Sequence, residues 1–164
     1  MDTVNRNMGI GEHEEKDDVP AGQESQAERM RLEFASRSEN EEFARVVAAV
    51  FASRLNPTLE EIDDIKTAVS EAVTNAVIHG YGDQDGMIVM EAEAGNGEFA
   101  VTVSDQGRGI EDVKKAMEPM YTTDTTGERS GMGFSFMEAF MDRVEVESER
   151  GRGTKVRMTK KIRG

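Results

Sequence analysis

Three groups of residues in this chain have the types and spacing to do chemistry. The first is Asp105-Gln-Gly107-Arg-Gly109, which follows an apolar stretch that reads as a buried strand. A carboxylate at a strand end can accept a hydrogen bond from an exocyclic amine such as the N6 of adenine, and such a bond is worth roughly 1.5–3 kcal/mol. Glycines at 107 and 109 let the backbone approach a flat ring closely. By themselves two glycines read as a tight turn; their place directly after Asp105 is what suggests a ligand. The second group is Glu71 and Asn75, four residues apart and so on one face of a helix. Asn75 offers a neutral amide oxygen suited to Mg²⁺, an ion that keeps waters and phosphates among its ligands. Glu71, one turn earlier, is placed to deprotonate or orient a nucleophile attacking a γ-phosphate. Alone, a Glu-x-x-x-Asn pair reads as a solvated helix face. The third group is Ser130-Gly131-Met132-Gly133, a glycine-rich turn opening a helix, where free amides and the positive end of the helix dipole form an anion site. Arg129, just before it, is either an exposed loop arginine or a contact to the γ-phosphate.

These groups need a scaffold that brings them together. Met30, Leu32 and Phe34 alternate with charged residues and predict a half-buried strand. Ser38 with Glu41 reads as a capping box opening a helix whose apolar positions are Phe43, Val46, Val47, Val50 and Phe51. Thr58 with Glu61 repeats the signal for a longer helix with the stripe Ile62, Ile65, Val69, Val73 and Val77, ending at His79-Gly80. Strands are expected over 87–94 and 98–104, joined by a Gly95-Asn96-Gly97 hairpin turn. A short helix over 112–117, a polar loop over 119–130 that reads as a lid, the helix opened by Gly131–Gly133, and two closing strands complete the order. Runs of strands beside long helices predict a two-layer α+β sandwich, a mixed β-sheet with helices on one face.

Composition narrows the function classes. The chain has 164 residues and no cysteine, so no disulfide framework or thiolate metal site can be proposed. A net charge of −13 argues against nucleic acid as a direct ligand. Residues 1–30 hold eight acids against three bases and few large apolar side chains, so 1–29 is expected to be a disordered acidic tail and 30–164 the folded domain. The basic run from Arg150 to Arg163 reads as a solvated strand edge. No apolar run suits a membrane span or a secretory signal, and a cytoplasmic protein is expected.

Taken jointly, Glu71-Ala-Val-Thr-Asn75, Asp105-Gln-Gly107-Arg-Gly109 and Gly131-Met-Gly133 resemble the N, G1 and G2 boxes of the GHKL superfamily, which includes DNA gyrase B, MutL and the histidine kinases. Phe43-Ala-Arg45-Val, the stretch from Ile65 to Tyr81, Glu128-Arg-Ser-Gly-Met-Gly-Phe134 and Phe140-Met-Asp142 are similar to one branch, the anti-sigma-F factors of spore-forming bacteria. The resemblance spans nearly all of residues 30–160. It implies a Bergerat-type ATP fold, ATP and Mg²⁺ as ligands, and a homodimer. It also implies two partners: a sporulation sigma factor held inactive, and an anti-anti-sigma factor phosphorylated on serine. By position, Glu71 matches the catalytic base, with Thr74 beside it, Asn75 the Mg²⁺ ligand and Asp105 the adenine contact. Gly109, Gly131, Met132 and Gly133 match backbone contacts to nucleotide, Thr154 a residue near adenine, and Arg45 a position used for partners. A stress-response anti-sigma kinase and a non-catalytic ATP-dependent binding module are the alternatives. Two histidines, neither on a dimerisation helix, disfavour a histidine kinase.

Overall fold

The structure, a computed structural model, describes residues 27–118 and 133–164. Strand β1 (Glu28–Ala35) begins two residues before Met30 and turns Phe34 into the core. Helix α1 (Glu39–Ala52) follows, but the capping box expected at Ser38 does not form. Ser38 already has helical backbone angles (φ −57°, ψ −33°). A capping side chain reaches the N3 amide only from an extended residue. The turn is held instead by the Glu41 N–H to the Ser38 carbonyl and by the Asn40 amide on the Ala35 carbonyl (2.8 Å). The buried face of α1 also differs from the expected stripe. Ala44, Ala48, Phe51 and Ala52 are buried, whereas Phe43, Val46 and Val50 point outward and are 53, 46 and 68% exposed. Small side chains at the contact let α1 approach its neighbours closely, which sets the interaxial distance.

Helix α2 (Leu59–Asn75) starts as expected. Thr58 is extended (φ −69°, ψ 164°), its Oγ1 accepts from the Glu61 N–H (3.1 Å), and the Glu61 carboxylate accepts from the Thr58 N–H (2.9 Å). Glu61 also accepts from the backbone N–H groups of Arg163 and Gly164, tying the end of the chain to the start of α2. Thr58→Ala should therefore destabilise the protein by about 1 kcal/mol. That corresponds to a melting temperature lower by about 2–4 °C, to be read by thermal denaturation; an unchanged melting temperature would remove the cap from the stability account. Ile65, Val69, Val73 and Val77 are buried along α2 as the stripe predicts. The helix does not stop at His79-Gly80. It runs on as a π-helical turn (Ala76–Tyr81) and ends at Gly82 (φ 60°, ψ −124°), a positive-φ conformation that favours glycine but is not the left-handed helical cap expected of Gly80.

Strands β2 (Met87–Gly95) and β3 (Glu98–Asp105) form a hairpin. Its turn residues Asn96 and Gly97 both have positive φ (53° and 70°), as a two-residue hairpin turn of this type requires. Helix α3 (Val113–Met117) is capped by Asp112, whose carboxylate accepts from the Lys115 N–H (3.0 Å). Helix α4 (Phe134–Phe140), strand β4 (Arg143–Glu149) and strand β5 (Gly153–Lys161) complete the chain.

The sheet order is β1-β2-β3-β5-β4, and each neighbouring pair among the described residues is antiparallel, where a mixed sheet was expected. The reason lies in the connections. Helices α1 and α2 leave and return to the same end of the sheet, so β2 starts at Met87 opposite Ala35, where β1 finished. Strand β5 folds back on β4 and inserts between β3 and β4, separating the two strands that would otherwise lie parallel. The basic run therefore lies on an inner strand and not on an edge: Arg157 is opposite Glu145 and Lys155 opposite Glu147, with Arg157 also reaching Glu93. Cross-strand opposite charges of this kind stabilise a solvated sheet face. The other face carries Ile88, Met90, Phe99, Val101, Val103, Val156 and Met158 into a core covered by the helices, a two-layer α+β sandwich. Helix α2 sits at its centre, against α1 and α4 and above β3 and β5. Among the described residues no helix is long and apolar enough to cross a membrane.

Candidate active site

Asp105 closes β3 opposite Thr154 on β5, and although charged it is 7% exposed. Burial pushes its carboxyl pKa above the ordinary 3.8, while hydrogen bonds from the backbone N–H groups of Gly107 and Thr154 pull it back. The Gly107 N–H donates to Asp105 Oδ1 (2.9 Å). The helical turn after α2 presses on the same carboxylate: a side chain at Gly80 would place its Cβ 2.8 Å from the Asp105 carboxyl carbon. That contact, and not helix termination, explains the glycine at 80.

The glycines of the 105–109 loop are likewise set by protein neighbours. A side chain at Gly107 would run into the Gly80 carbonyl, and one at Gly109 (φ 71°) into the Glu149 carbonyl. The loop is stitched down by the Arg108 N–H on the Gly80 carbonyl (2.9 Å), the Gly151 N–H on the Arg108 carbonyl (2.7 Å) and the Ile110 N–H on Ser148 Oγ (2.7 Å). Ser148 in turn bonds the Gly153 carbonyl (3.0 Å) and Thr154 Oγ1 (2.8 Å).

Asn75, Asp105, Gly109 and Thr154 meet in one cleft between α2 and the end of the sheet. Its walls are apolar, from Ala72 and Ala76 on the helix side, Val103 and Val156 on the sheet, and Ile110 and Phe134. A mostly apolar cleft with a few convergent polar groups is the usual form of a small-molecule site. Asn75, 9% exposed, brings an amide to it. Among the described residues no group of three or more His, Cys, Asp or Glu could hold a metal ion alone. The Asn75 amide oxygen is a neutral oxygen donor of the kind compatible with a Mg²⁺ ion that takes most of its ligands from phosphates and water.

Glu71 lies one turn before Asn75 on α2 and is half-buried. Its carboxylate packs against Gly133: any side chain at Gly133 (φ 66°) would run into Glu71 Oε2. The glycine that opens α4 and the acid on α2 are thereby brought into contact. Thr74 is half-buried, and neither it nor Gly107 is among the residues lining the cleft. Arg129, Ser130, Gly131, Met132 and the expected lid over 119–130 lie outside the described residues. Arg45 is on α1, paired with Glu41 (3.8 Å) and Glu42 (4.0 Å), and its Nε is buried without a hydrogen-bond partner among the described residues.

Sequence reasoning missed His79 and Phe134, both lining the cleft. His79 had a legible signal, since it is four residues beyond Asn75 and shares its helix face. Burial, with the charge of Arg108 second, lowers its pKa below the ordinary 6.5, which keeps the imidazole neutral at pH 7.

Comparison with known proteins agrees with this architecture. Residues 34–160 match the histidine kinase-like ATPase domain family. The anti-sigma F factor of Clostridium acetobutylicum is 58% identical over 134 residues, covering 82% of this chain and 94% of that protein. The anti-sigma F factor of a Thermoanaerobacter species is 56% identical over 133 residues, covering 81% and 93%. This chain belongs to the anti-sigma F factor family, within the histidine kinase-like ATPases. Among solved structures, the RsbU and RsbW domains of Rv1364c from Mycobacterium tuberculosis superpose with a TM-score of 0.60 at 23% identity. That match covers 82% of this chain and 32% of the longer one. The catalytic domain of the histidine kinase ThkA gives 0.52 at 19% identity, covering 81% and 96%. Both likenesses concern the fold.

Proposed function

We propose that this anti-sigma factor binds and inhibits a sporulation sigma factor of the sigma-F type, and uses ATP to phosphorylate a serine of the cognate anti-anti-sigma factor. The observation that carries the reading is the convergence of Asn75, Asp105 and Thr154 in one cleft, with Glu71 and Gly133 in contact beside it. In this reading Asp105 accepts a hydrogen bond from the adenine N6 amine, Thr154 lies near the base, and the backbone at Gly109 borders the ring. Asn75 would hold Mg²⁺, which would supply charge neutralisation on the phosphates when bound. The sequence pattern assigns phosphate contacts to the backbone amides of Ser130, Gly131, Met132 and Gly133, and Arg129 to the γ-phosphate. Glu71 accepts the proton of the substrate serine as its oxygen bonds to the γ-phosphorus and the bond to the β–γ bridging oxygen breaks, releasing ADP; Thr74 assists beside it.

A non-catalytic module that uses ATP as a structural ligand is the second reading. The half-buried Glu71 against Gly133 counts against it, because binding alone does not require an acid beside the phosphate turn. The outward stripe Phe43, Val46 and Val50 on α1, beside Arg45, supports a protein-binding role for that helix, in a homodimer and toward the partners. In this reading the protein acts in the cytoplasm.

The test is direct. The protein is incubated with Mg-ATP and the candidate anti-anti-sigma factor, and the modified residue is located by mass spectrometry. Phosphoserine on the partner is expected. An unmodified partner, with ATP bound and unspent, would favour the non-catalytic module.

A further inference from the structure

We propose that Tyr81 is a positioning residue for nucleotide recognition, acting through Asp105; the inference rests on the ATP-site reading above. Tyr81 ends the π-helical turn and is itself absent from the cleft lining. Its hydroxyl donates to the Met87 carbonyl (2.6 Å) and accepts from the Gln106 N–H (2.8 Å). A phenol has one proton, a carbonyl cannot donate and an amide N–H cannot accept, so the direction of both bonds is fixed. The ring is also held: a side chain at Gly86 would overlap it, so the glycine there makes room for the aromatic ring against the backbone.

The two bonds join three elements. Met87 is the first residue of β2, so the hydroxyl is anchored to the sheet. Gln106 is the residue between Asp105 and Gly107, and the Gly107 N–H is what holds Asp105 Oδ1. The Arg108 N–H on the Gly80 carbonyl supplies a second stitch from the same turn. The Gly107 bond that helps the Thr154 N–H orient the buried carboxylate is therefore steadied from outside the cleft, by a hydroxyl that does not line it. Gln106 is exposed, so water can replace the lost partner when the hydroxyl is removed. The cost then falls on the order of the loop and on the carboxylate it carries, and less on folding.

Tyr81→Phe keeps the ring and deletes the hydroxyl. Inosine triphosphate lacks the exocyclic amine that Asp105 would bind, so the ratio of ATP to inosine triphosphate affinity reads the carboxylate specifically. Calorimetry on the full chain should show ATP binding weakened about 3- to 10-fold, the net worth of one hydrogen bond. Inosine triphosphate binding should change little, so the preference for ATP falls by the same factor. Amide exchange at Gln106 should accelerate. In an Asp105→Asn background the same change should have no further effect on the ratio, since the two residues act as a unit. A lower melting temperature with an unchanged ATP preference would make the hydroxyl merely structural and overturn the proposal. So would equal weakening of both nucleotides, or full additivity with Asp105→Asn. If the wild type itself shows no preference for ATP, the adenine reading of Asp105 is what fails, and this inference falls with it.

Discussion

Glu71→Gln is expected to leave ATP affinity within about threefold of wild type and to slow phosphoryl transfer about 100- to 10,000-fold, the usual contribution of a positioned general base. Glutamine has the shape of glutamate, so the contact with Gly133 and the seating of α4 on α2 are retained. What it cannot do is take a proton from a serine hydroxyl. Single-turnover transfer to the anti-anti-sigma factor gives the rate, calorimetry gives the affinity, and a melting curve checks the fold. Loss confined to the rate assigns the base. Wild-type transfer by the variant would remove Glu71 from the chemistry, and a matched loss of affinity would make it a binding residue.

The Glu71–Gly133 contact also shows where sequence reading succeeds. Local signals with one physical cause survived folding: the Thr58–Glu61 box, the Asn96-Gly97 turn and the α2 stripe each depend on neighbours within a turn or two. The Ser38–Glu41 box had the same spelling and failed, because the Asn40 amide on the Ala35 carbonyl and the wound-in backbone of Ser38 start α1 differently. Whether a serine caps is decided by the chain before it, which no four-residue pattern contains. The α1 face was misread for a related reason. Counting the large apolar residues favoured Phe43, Val46 and Val50, but apart from the predicted Phe51 what is fully buried at that contact is alanine.

Two further misreadings were tertiary. Gly80 and Gly107 carry no side chain because they press against Asp105 and against each other's backbone, a packing that links residues far apart in sequence. The motif pointed to the right place for a partly wrong reason: the glycines let helix turn and loop close on one carboxylate, and ligand approach is a second use. The insertion of β5 between β3 and β4 was equally illegible, since the hydrophobic alternation of a strand does not say which neighbours it will have. The same insertion puts Thr154 opposite Asp105, and Phe134 of α4 lines the same cleft, so the cleft wall is made by segments that no single window spans. The family resemblance supplied Thr154, whereas His79, inside the predicted helix and four residues beyond Asn75, carried a local signal but was read only as a helix end.

Asp105→Asn separates binding from stability, and its two effects should have opposite signs. Asparagine can turn only one acceptor oxygen to the site, and the Gly107 N–H already claims it, so the charge-assisted bond to adenine is lost. ATP affinity should fall about 10- to 150-fold, for ~1.5–3 kcal/mol. Stability of the nucleotide-free protein should move the other way. The folded pKa of Asp105 lies above its unfolded value because burial disfavours the charge. Between the two values the folded state keeps a proton that the unfolded state has released, so stability falls as pH rises through that window. What Asp105 contributes is complete below the unfolded pKa and is lost as pH passes the folded one. The variant has no such loss, so its melting temperature should gain on wild type from acid toward neutral pH. In the wild type ATP binding should weaken on acidification toward the raised pKa, since a protonated acid no longer presents two acceptors; in the variant that dependence should vanish. Calorimetry across this pH range, with melting curves in the same buffers, measures both. Unchanged ATP affinity would end the adenine assignment. A variant that loses ATP and also melts lower at neutral pH would show that the carboxylate is held for the fold, with its hydrogen bonds from Gly107 and Thr154 outweighing the burial of its charge.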